Sequence, residues 1–454
     1  MSLGAAFAGV AALAWAVSTF AASGLTLGEL RRDPVGSMRL AQGAYPHPVA
    51  LRVPPAQPLS AVATIGKVLF NDPALSGSGR QSCASCHDPA HAFAPANDLA
   101  VQIGGRTMDR HGLRAVPSLA YLYRQPAFSI GPDNAEQEGV SLTQSIARAD
   151  HAVRATKRAG STAAGSNLVP QGGLFWDGRV DTLQQQAGGP LFNPLEMDAG
   201  SQARVARVIE AGGNAAMFRA LFGPSVFENP QQVVAEALFA IARYQIESPA
   251  FHAFDSKFDA WMQGRATLTP QEIRGYLAFN DPHRGNCAAC HLDRPTPDGL
   301  PPLFTDTQYE ALGVPRNPEI PANSDPSYHD LGVCGPTRTD LRAQSQYCGM
   351  FLTPTLRNVA TRKRFFHNGQ ARSLAQVLRF YNLRDVDPAR IYPRGADGRV
   401  DIADDLPPSA RANVDHVDPP FGRHPGQAPP MTERDTRDII AFLHTLTDGW
   451  RPSR

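Results

Sequence analysis

One five-residue pattern occurs twice in this chain and constrains its fold more than any other feature. Cys83-Ala84-Ser85-Cys86-His87 and Cys287-Ala288-Ala289-Cys290-His291 both read C-x-x-C-H. Two thiols one helical turn apart can add to the two vinyl groups of a haem, and the adjacent His then reaches the iron from one face. With six Cys and thirteen His in 454 residues, chance supplies about 0.002 such matches. A zinc site would need a fourth ligand that nothing nearby supplies cleanly. A C-x-x-C redox pair has no use for the His. Two covalently bound haem c groups are therefore expected, and the wide separation of the motifs argues for one haem per domain.

Thioether attachment suits an oxidising compartment, and the first two dozen residues agree with that. They are almost wholly apolar and small, with Thr19-Phe20-Ala21-Ala22 offering a cleavage site. The stretch reads as a signal peptide over 1–22, or else as an uncleaved N-terminal anchor. Either way the folded part is expected in the periplasm. The 43 basic and 42 acidic residues leave a formal charge of +1, which gives no electrostatic footprint for nucleic acid. Cys334 and Cys348 could close a short loop as a disulfide or stand as two thiols.

The rest of the chain reads as mainly α-helical. Ala203 to Leu221 and Gln231 to Gln245 place apolar residues on one helix face. Thr269-Pro270-Gln271-Glu272 is a capping box opening a helix through Phe279, and Thr432 to Asp435 is a weaker version opening a final helix. Tyr45 to Pro55 is Pro-rich and reads as extended. Gly160 to Gly173 and Pro388 to Pro430 read as loops.

Further blocks carry a family resemblance. Leu69-Phe70-Asn71-Asp72-Pro73 and Leu75-Ser76-Gly77-Ser78-Gly79 lead into the first haem motif. Phe175-Trp176-Asp177-Gly178-Arg179 is followed by Gln186-Ala187, Gly189-Pro190 and Asn193-Pro194-Leu195-Glu196-Met197. Thr353-Pro354-Thr355-Leu356-Arg357-Asn358 is followed by Phe366-His367-Asn368-Gly369. In these blocks the chain resembles the bacterial di-haem cytochrome c peroxidases and the related MauG enzymes. The resemblance implies a mainly α fold of two cytochrome c-like domains, here 45–235 and 236–454, with the haems facing a shared interface.

The resemblance also implies roles. The haem of Cys83, Cys86 and His87 would be the peroxidatic centre, and that of Cys287, Cys290 and His291 the electron-transfer centre. Glu196 falls on the family's distal glutamate, where a carboxylate can move a proton between the two oxygens of peroxide. Gln186 would hydrogen-bond in the same pocket, and Pro190 would shape it. Trp176 falls between the haems, where it is either an electron relay, a core aromatic, or both.

Three departures from the family pattern stand out. Fourteen residues after His367, where the common peroxidases have a Met ligand, stands Tyr381. MauG-like members have Tyr there; the residue is either a sixth iron ligand or a packed helix tyrosine. A phenolate would favour ferric and higher states. The positions corresponding to the family's calcium ligands are Tyr121, Arg362 and Arg364, and the cationic ones suit a hard cation poorly, which argues against calcium. His111 lies near the family's loop His but reads as a surface residue.

The leading expectation is an enzyme that reduces hydrogen peroxide, fed by a small periplasmic donor such as a cytochrome c or cupredoxin. Alternatives are a MauG-like oxidase acting on aromatic residues of a partner protein, and a non-enzymatic di-haem electron carrier.

Overall fold

A pair of closely crossing helices organises each of two hydrophobic cores. In the first, Ser60 caps the helix Ala61–Phe70 by accepting from the Ala63 N–H at 3.1 Å. That helix buries Ala63, Ile65, Leu69 and Phe70 along one face. Its partner, Pro230–Glu247, opens with Pro at the first position behind the capping side chain of Asn229. The two lie so close that a Cβ at Gly66 would stand 1.8 Å from the Ala240 carbonyl oxygen. In the second core, Thr269 and Glu272 box the start of Pro270–Asn280, and Thr432 and Asp435 do the same for Glu433–His444. There a Cβ at Gly275 would meet the Asp438 carbonyl oxygen at 1.9 Å. Only glycine permits either approach.

The computed structural model describes residues 25, 27–132 and 168–452. The expected leader at 1–22 and most of the insertion from Phe128 to Gly173 lie outside the described residues. Among the described residues the chain is mainly helical, with six strands of at most four residues paired as three two-stranded antiparallel ladders. The first core gathers Ile65, Phe70, Phe93, Val233 and Phe251. The second gathers Phe258, Trp261, Phe279, Phe304, Ile439 and Phe442. A third, around Tyr309, Val333, Leu406 and Val414, encloses a Cys334–Cys348 disulfide.

Four sequence expectations need correction. A boundary at 235/236 would cut the Pro230–Glu247 helix, whose Val233, Val234, Ala237, Ala240 and Ile241 all belong to the first core. Residues 45–51, expected at the start of the N-terminal unit, pack on the second core instead. Leu40, Tyr45, Val49 and Leu51 lie against it, tied by the Trp261 indole N–H to the Gly43 carbonyl at 2.9 Å. The helical stretch from Ala203 to Leu221 is two helices, Gln202–Ala211 and Ala215–Phe222, because Gly212 leaves the first in extended conformation. The expected Gly160–Gly173 loop contains a strand, Leu168–Gln171, paired with Ser129–Pro132.

Candidate functional site

The two C-x-x-C-H motifs are built alike. Cys83–Cys86 forms one helical turn, with the Ser82 N–H donating to Ser85 Oγ at 3.0 Å and the His87 N–H closing onto the Cys83 carbonyl at 2.9 Å. At the second motif the His291 N–H closes onto the Cys287 carbonyl at 2.8 Å. Each imidazole is then fixed from behind. His87 Nδ1–H donates to the Phe93 carbonyl at 3.0 Å, and His291 Nδ1–H donates to the Phe304 carbonyl at 3.0 Å. A carbonyl can only accept, so Nδ1 carries the proton and Nε2 keeps its lone pair. Burial pushes both imidazoles down to about 4, so both are neutral and able to ligate at pH 7.

Phe93 and Phe304 have φ of 57° and 54°, the left-handed region that aromatic side chains rarely enter. The backbone at both sites is turned to aim a carbonyl at the ring. Nothing in the sequence signalled these two residues except their place downstream of a motif. Burial pushes the thiols of Cys83, Cys86 and Cys287 up to about 12, and all four motif cysteines are outside the disulfide.

A largely apolar cavity of about 270 Å³ opens beside the second motif, lined by Cys287, Cys290, His291, Trp176, Arg362 and Tyr381 among others. Tyr381 sits on the helix Leu374–Leu383 with its ring stacked on Phe421, centroids 5.4 Å apart. Burial, reinforced by the nearby thiols of Cys290 and Cys287, raises its phenol well above the usual tyrosine range. Apolar walls, two thiols at the rim, a neutral imidazole with a free lone pair and a phenol in one cavity fit a haem.

Around the first motif, Glu196 lies in the turn that follows the helix Leu183–Phe192. Asn193 Nδ2 donates to Glu196 Oε1 at 2.6 Å, and the Gly105 N–H holds the Glu196 carbonyl at 2.6 Å. Burial raises the Glu196 carboxyl, against the Asn193 hydrogen bond and the Arg179 charge. The carboxylate is close enough to Cys86 to disfavour its thiolate. Gln186 is buried on the preceding helix, which contains Pro190. Asn193 belongs to the Asn193–Met197 block but carries no signal of its own in the sequence.

Trp176 is buried. Its indole N–H donates to the Ala115 carbonyl at 2.7 Å, and the Ala115 N–H donates to the His367 carbonyl at 2.7 Å. His367 is buried with its ring stacked on Phe351, centroids 3.6 Å apart. Next to Trp176, fully buried Asp177 pairs with Arg114 and Arg179, each at 2.8 Å, and Arg114 also pairs with Asp330 at 2.6 Å. Sequence reasoning missed this ionic knot, because Arg114 and Asp330 stand far from any motif.

The positions corresponding to family calcium ligands are engaged within the chain. Tyr121 donates its hydroxyl to Asp448 Oδ2 at 2.7 Å, Arg364 pairs with Glu319 at 2.7 Å, and Arg362 donates to the Val116 carbonyl at 3.0 Å. His111 is exposed on a two-residue strand.

Comparison with known proteins gives concordant results. The family model of the di-haem cytochrome c peroxidases matches residues 60–267. The methylamine utilization protein MauG of Paracoccus denitrificans is 34% identical over 398 residues, covering 86% of this chain and 89% of that protein. Cytochrome c551 peroxidase of Nitrosomonas europaea is 28% identical over 71% of this chain and 75% of its own length. Among solved structures, the diheme peroxidase BthA of Burkholderia thailandensis superposes with a TM-score of 0.72 at 38% identity, covering 88% of this chain and 90% of that one.

Proposed function

The chain belongs to the di-haem cytochrome c peroxidase and MauG family and is an oxidoreductase, and from that premise we propose that it reduces hydrogen peroxide to water. In this reading Cys83, Cys86 and His87 hold the peroxidatic haem, and Cys287, Cys290 and His291 hold a second haem with Tyr381 as its sixth ligand. When bound, the haems supply the iron and the redox equivalents for two-electron reduction of peroxide.

The observation that carries the reading is a carboxylate held beside the first haem motif. Asn193 occupies Glu196 Oε1, which leaves Oε2 to take the proton from one peroxide oxygen and return it to the other. Burial raises this carboxyl, which makes it a better proton holder than an exposed glutamate. In the same reading Gln186 orients peroxide and Trp176 carries electrons between the two haems. An electron carrier has no use for such an acid–base group.

Tyr381 favours a second reading, in which peroxide drives oxidation of aromatic residues on a partner protein as in MauG-like enzymes. A small periplasmic cytochrome c or cupredoxin would be the donor under the first reading. Both readings take the protein to be exported. No helix among the described residues is long and apolar enough to cross a membrane. The two-unit organisation is proposed with its seam after Phe251, where the first core ends.

Glu196→Gln tests the reading. Peroxide turnover with reduced cytochrome c should fall by about 10²–10⁴-fold, the usual worth of a positioned acid–base group, with both haems retained. Unchanged turnover would overturn it.

A further inference from the structure

Three cationic residues stand in a row at Arg362, Lys363 and Arg364, and the structure uses them differently. Arg364 forks onto both carboxylate oxygens of Glu319, at 3.0 and 2.7 Å. Lys363 is exposed and donates to the Ala96 carbonyl at 2.6 Å. Arg362 turns inward. Among the described residues its guanidinium donates to two carbonyls, Val116 at 3.0 Å and Arg364 at 3.3 Å, and has no carboxylate partner. Burial alone pulls its guanidinium down to about 10.

A guanidinium partly withdrawn from water without an anion is costly, and charges held inside proteins are usually paired. Arg362 lines the same cavity as Cys287, Cys290, His291 and Tyr381. The group that would fill this cavity carries two propionate carboxylates, the anions that a planar guanidinium fork recognises best. The Val116 bond holds the guanidinium to the N-terminal half while its backbone belongs to the C-terminal half, so the charge is fixed at the seam.

We propose that Arg362 anchors a propionate of the haem held by Cys287, Cys290 and His291. This rests on the di-haem reading above. Arg362 is a positioning residue, acting on the cofactor's carboxylate and not on peroxide. Its positive charge also stabilises the reduced iron relative to the ferric form.

Spectroelectrochemical titration of the holoprotein tests this, with haem content measured separately by pyridine haemochrome. Arg362→Gln should keep two haems per chain and lower the midpoint potential of the Cys287/Cys290 haem. The expected shift is on the order of tenfold in the reduction equilibrium, the effect of one uncompensated charge, or about 59 mV for one electron. Arg362→Lys, which keeps the charge without the fork, should recover most of the shift. An unchanged potential, or a shift confined to the Cys83/Cys86 haem, would overturn the proposal. If Arg362→Gln fails to fold, Arg362→Met removes the same charge and is read in its place, a lowered potential of the Cys287/Cys290 haem supporting the proposal and an unchanged one overturning it. Fewer than two haems in the wild-type chain would instead sink the di-haem reading, before any variant is compared.

Discussion

Replacing Arg114 by Met leaves two buried carboxylates without their shared cation. In the wild type, Arg114 Nε and Nη2 donate to Asp330 at 2.6 and 2.7 Å, and Nη1 donates to Asp177 at 2.8 Å. The three side chains are 9%, 7% and 0% exposed, so water does little to compensate. Asp177 keeps Arg179 and the Thr337 hydroxyl. Asp330 keeps the Gly332 N–H at 3.1 Å. Most of the loss therefore falls on Asp330, and removing one partner of a buried pair costs about 3–5 kcal/mol. Urea unfolding followed by circular dichroism at pH 7 should show a loss of that size, with a melting temperature several degrees lower.

The pH dependence has a definite sign. Burial would raise the Asp177 carboxyl, but Arg114 and Arg179 outweigh it and hold the group below the usual aspartate range. A depressed pKa stabilises the fold above the unfolded value, near 3.9, and that stability is lost as pH falls through the folded value. The gap between wild type and Arg114→Met should thus be widest at neutral pH and narrow below about pH 4. A loss under about 1 kcal/mol, or a gap that stays constant into acid, would refute the reasoning from buried pairing.

The other expectations are simpler to state. Gly66→Ala places a methyl 1.8 Å from the Ala240 carbonyl oxygen, so the helices must separate; chemical denaturation should show a loss of at least about 1–3 kcal/mol. Replacing Cys334 and Cys348 together by Ser opens a loop closed over a sequence separation of 14, which should cost about 3 kcal/mol on the loop-entropy model in the same assay. Tyr381→Phe should leave haem content intact while changing the ferric absorption and paramagnetic resonance spectra of the Cys287/Cys290 haem. Unaltered spectra would make Tyr381 a packing residue.

The sequence was legible where a local pattern fixes a local structure. Both C-x-x-C-H turns and the capping boxes at Thr269 and Thr432 fall where their residues predict, because each is set by a few neighbouring side chains. What escaped the sequence is non-local. The 235/236 boundary failed because helix Pro230–Glu247 gives its apolar face to the first core, and periodicity does not say which core a face will meet. The placement of Tyr45 failed for the same reason, since Trp261 is far away in sequence. The carbonyls of Phe93 and Phe304 and the knot of Arg114, Asp177 and Asp330 depend on backbone turns and distant pairings that no motif encodes.

The proposed function has two haem sites acting together on peroxide, with Tyr381 proposed as a ligand that favours the ferric and higher states of the second. Its most direct test mixes the purified diferric protein with hydrogen peroxide in stopped flow and follows both ferric signals by absorption and electron paramagnetic resonance. Rapid loss of both signals without prior reduction is the predicted result. No reaction until one haem has been reduced would contradict it and point to a capped, reductively activated peroxidase.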